Sequence, residues 1–444
     1  MESLPLDILN PSTPPWQLPH PYTTTLTAPW SGAKPPLFET IAEALVQGVD
    51  GTELLGELNP CPEGVLWAIV ADCPGVGRVI AFAQHSPAEQ TDSPSGWEVG
   101  IELLLDPEQP IARFTSAMRL LDLLVPDASS ILDAVTRFRW DRIGLERHFL
   151  GPAPDPPDHV IWAAHASTRS RTPGAEDSTW LRTSGLWRCG RPELEMLDVP
   201  FKHVNAGVAL LQGMAGLMLE VMPPAPGLAW RLGQDVTVAL RSWDEVAPLL
   251  ADELPGSMAL RRIPREAIHT AVDHPFGGVR GVVCAPTPRG TSRQRKWVYP
   301  EEVLERIEAG TAAIDQSGHA TARTARIAQR TLPTFAEAVH LLAQRQIALE
   351  GPGAPILLVK TPFAVDDGTE GHEHVWIRVL ACEGETIGGR VLQSSSKNRA
   401  VSTGELIEIP STRISDWHAR VGSNLITPDE ADRLLESIRK VSAS

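Results

Sequence analysis

Hydrophobic and polar positions change period several times along the chain, and each change marks an expected element. Residues 65–72 (VLWAIVAD) and 78–84 (RVIAFAQ) are short apolar runs flanking CPGVG, so they read as paired strands, and 97–105 (WEVGIELLL) reads as a third. Spacing of three and four predicts helices over 37–48, stopped by Gly48, and over 111–124 and 131–149. Further strands are expected at 159–166, 235–242 and 278–286. Ser242 with Glu245 forms a capping box opening a helix over 243–254. Pro300 begins a helix closed by Gly310, and Thr334 with Glu337 caps another over 335–351. Strands near Ile356, His374, Arg390 and Glu405 then form an antiparallel set, and Thr427, Pro428 and Glu430 cap a last helix.

These elements imply an α+β (mixed α/β), multi-domain chain: an N-terminal α/β region followed by a small C-terminal antiparallel sheet with flanking helices. Residues 1–36 hold nine prolines, which argues for an extended arm without regular helix or central strand, docked through Trp16 and Trp30. The N-terminal region is expected over 37–298. The proline cluster at 151–158 reads as a long loop in it, although a sub-boundary there stays open. A C-terminal domain over 299–444 follows, the polar run 289–297 marking the division. The uncharged segment 204–219 carries Asn205, Gln212 and three glycines. It falls short of the roughly 20 apolar residues of a membrane span and reads as a helix buried between layers.

Composition narrows the function classes. Lysine and arginine total 39 against 55 acidic residues, a net charge of −16, which disfavours nucleic acid and acidic membrane surfaces and favours a protein partner, a basic one included. Five cysteines lie far apart without a CxxC pair, as reduced core thiols do. The first 33 residues contain neither lysine nor arginine and no signal-type apolar run, so a cytoplasmic location is expected.

Chemistry is sparse. Gly75 and Gly77 follow a strand, but position 80 is Ile where a dinucleotide fingerprint needs Gly or Ala, so a hairpin turn is the better reading. No Walker loop, GxSxG elbow or HExxH helix occurs. His372 and His374 would share one face of a strand, a spacing that holds a metal only with a third ligand such as His269, Asp273, His274 or His418. Two histidines do not complete a zinc shell, so no metal or cofactor is assigned. Arg289, Arg293, Arg295 and Lys296 with Trp297, and Arg323, Arg326 and Arg330 at helical spacing, read as a solvated loop and a charged helix face.

The order VKTPF, EHVW, IGGRVLQ and ISDW resembles the bacterial domain of unknown function 2314 over about a quarter of the chain. Val359, Lys360, Phe363, Glu373, His374, Trp376, Ile414, Ser415, Asp416 and Trp417 carry the match. Thr403, Gly404 and Glu405 stand where that family commonly has Gly-Asp, and SSSKNR replaces its Asn-x-Pro region. Upstream, WLRTSGLWRCGRPELE at 180–195 is similar to a motif of domain of unknown function 4026. There Gly185 and Gly190 read as turns, and Glu193 and Glu195 share one face of a strand. Neither resemblance implies an activity. Trp376 and Trp417 are expected to fill and close the small sheet, with Asp416 accepting backbone hydrogen bonds; alternatively His374, Asp416 and Trp417 line a shallow pocket. The candidate binding residues are therefore His374, Trp376, Asp416, Trp417, Glu193 and Glu195, with His372 and His374 as weak metal ligands. The expected function is non-catalytic binding of adaptor or immunity type through an acidic surface. The alternative is an enzyme using His374 and Asp416 as acid and base or around a metal.

Overall fold

A computed structural model describes residues 16, 18, 23–86, 96–169, 177–263, 279–286, 298–364, 372–394, 398 and 401–441. Helices and strands occur in near-equal measure in a mixed α+β fold with three sheets. The chain forms two compact units, Met1–Ser317 and Gly318–Ser444. The N-terminal unit keeps residues 299–317, beyond the division expected at 298, because Leu304 is fully buried in its core.

The first sheet of the N-terminal unit comprises β1 (Thr23–Pro29), β2 (Glu53–Glu57), β3 (Val65–Cys73), β4 (Gly77–His85), β5 (Trp97–Leu104), β6 (Ser130–Asp133) and β7 (Phe138–Asp141). They are antiparallel in the order β2-β3-β4-β5-β1-β6-β7. Helices α1 (Phe38–Gly48) and α2 (Pro110–Leu124) bury Ile41, Leu45, Phe114, Met118 and Leu121 against it, and α3 (Arg142–Leu145) follows β7.

The second sheet comprises β8 (Ala163–Arg169), β9 (Ser178–Ser184), β10 (Glu193–Pro200), β11 (Ala229–Gln234), β12 (Val236–Ser242), β13 (Arg280–Cys284) and β14 (Ala313–Ile314), ordered β14-β11-β12-β13-β10-β9-β8. Only β10 and β13 run parallel within it. Helix α4 (Val204–Glu220), apolar nearly all round, buries Leu210, Leu211, Met214 and Met218 in a core shared by both sheets. Short helices α5 (Trp243–Val246) and α6 (Met258–Arg261) close a smaller cluster with Trp180, Leu197 and Val282, and α7 (Glu301–Glu308) packs against α4.

The C-terminal unit holds β15 (Ile356–Ala364), β16 (His372–Glu383), β17 (Thr386–Val391), β18 (Leu406–Pro410), β19 (Asp416–Val421) and β20 (Asn424–Ile426), antiparallel in the order β18-β17-β16-β15-β19-β20. Alternate positions Leu357, Val359, Val375, Ile377, Trp417 and Ala419 point one way and are buried. They share a core with Phe335, Val339 and Leu342 of α8 (Gly318–Gln344) and Leu434 and Ile438 of α9 (Asp432–Val441).

Several elements differ from the sequence reading. Thr23–Pro29 is an inner strand although the proline count argued against one, because residues 23–28 contain no proline and bury Thr24, Leu26, Thr27 and Ala28. Trp16 does dock: it is 2% exposed and its indole donates to Pro224 O at 2.7 Å. The helix expected over 131–149 is instead a hairpin, α3 and a single π turn. Asp133 accepts from Val135 N and Thr136 Oγ1, Arg137 takes a φ of 59°, and the chain reverses. Strand β8, which on the sequence reading could return to the sheet before the proline cluster, instead forms an edge of the second sheet. The helix opened by Ser242 stops after one turn at a 3-10 segment containing Pro248. In contrast, α8 starts well before Thr334 and runs through Pro333.

Trp417 is 0% exposed, lies 5.1 Å from Phe335 ring to ring, and donates from its indole to Thr331 Oγ1 at 3.0 Å. Trp417→Ala should therefore cost the C-terminal unit about 3–5 kcal/mol in denaturant unfolding. Trp376→Ala, on the opposite face, should change it by no more than about 1 kcal/mol.

Candidate functional site

Strand register assembles the polar face of the C-terminal sheet. Lys360 of β15 pairs with Trp376 of β16 on one side and Asp416 of β19 on the other, and Leu358 lies between Arg378 and His418. All of these side chains therefore leave the sheet opposite the helices and remain partly exposed. Trp376 stands on this face, not in the core where it was expected. Its ring lies 4.6 Å from that of His418, with the Lys360 ammonium 5.6 Å from the indole centroid. His418 Nε2 is 3.6 Å from Asp416 Oδ2, and Asp416 Oδ1 accepts from Trp417 N at 2.8 Å, as a strand-end carboxylate was expected to do.

Burial pushes the Asp416 carboxyl up to about 6, with Asp429 adding to the effect and the Trp417 amide and Lys360 opposing it. Burial, then Lys360, lowers the imidazole of His418; His374 is lowered by burial, Lys360 and His372. His374 Nδ1 lies 2.8 Å from Ser415 Oγ, and that hydroxyl donates onward to Lys360 O at 3.2 Å. Both residues line a cleft of about 670 Å³ with Arg326, Gln329, Pro362 and Arg413. The sheet thus brings Trp376 and Asp416 together through Lys360, and places His374 beside Ser415. Trp417 is separated from all of them because adjacent strand residues face opposite ways. It belongs to the core.

Glu193 and Glu195 lie in the N-terminal unit, on one face of β10 as expected, and both are 0% exposed. The segment 180–195 organises that unit. Burial alone would raise the Glu195 carboxyl, but Arg261 and Arg280 outweigh it and hold it below the usual carboxylate range. Arg261 Nη1 donates to Glu195 Oε1 at 3.0 Å and its Nη2 to Oε2; Arg280 Nη1 donates to Oε1 at 3.1 Å. The Arg261 guanidinium lies 4.7 Å from the Trp180 ring and 4.8 Å from the Trp243 ring, and Arg280 lies 4.6 Å from Trp187. Burial raises Glu193, opposed by Arg280 and by hydrogen bonds from Thr183 Oγ1 at 2.6 Å, Gly185 N at 2.7 Å and Trp187 N at 3.3 Å.

The turn between these strands reaches other elements. Arg188 pairs with Asp133 of β6 through bonds of 3.0 and 2.8 Å, both side chains wholly buried, and joins the two sheets. Arg191 Nε donates to Met218 O and so satisfies a carbonyl at the end of α4. Gly185, at φ +114°, permits the approach: a Cβ there would lie 2.3 Å from Ile161 O. The two glutamates therefore serve architecture and offer no accessible binding group.

His372 is exposed, and His269, Asp273, His274 and the basic run 289–297 lie outside the described residues. Among the described residues, the group of three side chains spaced to hold a metal ion is His203 with Glu301 and Glu305. Sequence reasoning missed it because about a hundred residues separate the histidine from the glutamates; the acidic i, i+4, i+7 stripe on α7 was the available signal.

Two family models match the chain. Residues 165–272 match "Protein of unknown function (DUF4026) C-terminal", and residues 319–427 match "Uncharacterized protein conserved in bacteria (DUF2314)". The chain thus carries these two regions in the order that segments 180–195 and 359–417 had indicated. No curated protein and no solved structure matches it, and no helix among the described residues is long and apolar enough to cross a membrane.

The raised Asp416 carboxyl has a stated pH signature. Its folded value of about 6 exceeds the ordinary 3.8, so the folded state holds the proton more tightly. The associated stability is fully present below about pH 3.8 and is lost as pH rises through 6. Asp416→Asn should match the native protein near pH 4 and exceed it at pH 8, measured by denaturant unfolding across that range. Equal stability at both pH values would remove the assignment.

Proposed function

We propose that the protein is a non-catalytic binding protein of the adaptor or immunity type, and that the polar face of its C-terminal sheet engages a protein partner. The supporting observation is Trp376, a partly exposed indole at the middle of a regular sheet, ringed by Lys360, Asp416, His418 and Arg378. A large rigid aromatic with polar neighbours is the residue type that anchors protein interfaces, since it buries much area at little conformational cost. Charge on this face differs from that of the whole chain. Lys360 and Arg378 flank the indole, whereas Glu301, Glu302, Glu305 and Glu308 collect on α7. The contact favours an apolar partner surface with acidic groups at its edge. A basic partner would instead be drawn by the acidic excess of the chain.

The alternative, an enzyme using His374 and Asp416, has less support. His374 has a serine neighbour, but the Lys360 carbonyl, 3.2 Å from the Ser415 hydroxyl, competes with the imidazole for its one proton. Asp416 contacts its own strand and His418, and no hydrogen bond joins it to His374 among those described.

Affinity capture from the native cell with the full-length protein, Trp376→Ala and Lys360→Glu as baits tests the reading. A stoichiometric protein partner should be retained by the native chain and lost from both variants, whose thermal unfolding stays within a few degrees of native. Equal capture by all three baits would move the contact elsewhere, and capture of no protein would remove the binding reading.

A further inference from the structure

We propose that His203, Glu301 and Glu305 form a divalent-cation site of the zinc class in the N-terminal unit, with Glu308 orienting the histidine. His203 ends the short turn Phe201–His203 that leads into α4, and it faces α7. On that helix Glu301, Glu305 and Glu308 recur at four and three residues and so share one side. One ring nitrogen of His203 and one oxygen from each of Glu301 and Glu305 all lie within 4.8 Å of one another. Zinc bonds to nitrogen and oxygen are about 2.0–2.2 Å long, so small rotations of the two exposed glutamates suffice to close such a span.

The histidine supplies an independent observation. It is 1% exposed, and its Nδ1 lies 3.1 Å from Glu308 Oε1. A carboxylate can only accept, so Nδ1 donates to Glu308 and Nε2 is the ring nitrogen that this pair does not use. That Nε2 is buried and has no hydrogen-bond partner. An unsatisfied buried nitrogen is costly, and this imidazole brings a ring nitrogen to within 4.8 Å of two carboxylates that repel one another at i, i+4. A cation shared by the three removes both penalties. A ligating imidazole whose other nitrogen donates to a carboxylate is also the usual outer-shell arrangement of zinc-binding histidines.

The donor set selects the ion. An imidazole with two carboxylates suits zinc and its neighbours, whereas magnesium and calcium prefer oxygen alone. Three protein ligands leave a fourth position for water or a ligand, on the side where both glutamates are exposed. Glu301 and Glu305 also line a cleft of about 760 Å³ with Asp235, Thr237, Tyr299 and Arg306. Glu301 forms an ion pair with Lys202, whose Nζ lies 3.9 Å away with both side chains more than half exposed. An exposed pair of that kind is weak and is readily displaced.

The test uses full-length protein freed of metal by a chelator and titrated with zinc chloride by calorimetry, then with cobalt(II) to read coordination from its visible spectrum. Native protein should bind one zinc, and millimolar magnesium should not displace it. Glu308→Gln should weaken binding about 10-fold, and the doubly substituted Glu301→Gln, Glu305→Gln protein at least about 100-fold and lose the cobalt spectrum. Both glutamates are exposed, so circular dichroism of the double variant should match native protein. Unchanged zinc affinity in the double variant, no zinc binding by native protein, or equal competition by magnesium would each overturn the proposal.

Discussion

A carboxylate taken wholly out of water has to be neutralised where it stands, and the N-terminal unit is arranged around that requirement at Glu195. Removing such a charge from solvent costs several kcal/mol unless geometry and hydrogen bonds compensate it. Arg261 and Arg280 provide both, and tryptophan rings cover the guanidinium planes. The two arginines, on α6 and β13, lie 66 and 85 residues beyond Glu195, so a single buried carboxylate fixes where both must dock. The turn that follows Gly185 extends the same logic to the first sheet through Arg188 and to the end of α4 through Arg191. A segment of sixteen residues therefore joins most layers of the unit, which accounts for its dense charge and for the packing of Trp180, Trp187 and Trp243 on its arginine partners.

The C-terminal unit divides its labour by strand alternation. Odd positions of β15, of β16 up to Val379 and of β19 pack beneath α8 and α9, and even positions there carry Lys360, Trp376, Asp416 and His418 on the other face. Adjacent residues thus have unrelated roles. Asp416 shapes the electrostatics of the polar face, and its neighbour Trp417 fills the core. The match to the bacterial family spans both faces, and its signature residues mix packing with surface chemistry.

Much of this was legible where one signal dominates. Alternation identified β15 and β16, the glycine turn identified the hairpin of β3 and β4, and the uncharged, largely apolar run identified α4 as buried. The reading failed where two local preferences compete. In 131–149 the apolar spacing fits a helix, but the Asp133 side chain caps a turn instead. At Thr23–Pro29 the flanking prolines masked a strand. The sequence reading puts Trp376 in the core with Trp417, but Trp376 pairs with Lys360 and Trp417 with Val359, so the two indoles face opposite ways. The burial of Glu193 and Glu195 was not readable at all, since Arg261 and Arg280 reach them only after the sheet has formed. Nor was the meeting of His203 with α7, which depends on how α7 packs against α4.

The structural role of Glu195 is tested most directly by a double-mutant cycle with Arg261, using Glu195→Gln, Arg261→Met and the pair, followed through amide protection of β9 and β10 in denaturant. A load shared between these side chains predicts a coupling of about 2 kcal/mol or more, each single variant costing nearly as much as both together. Costs that add to within about 0.5 kcal/mol would show that the unit does not depend on this buried pair.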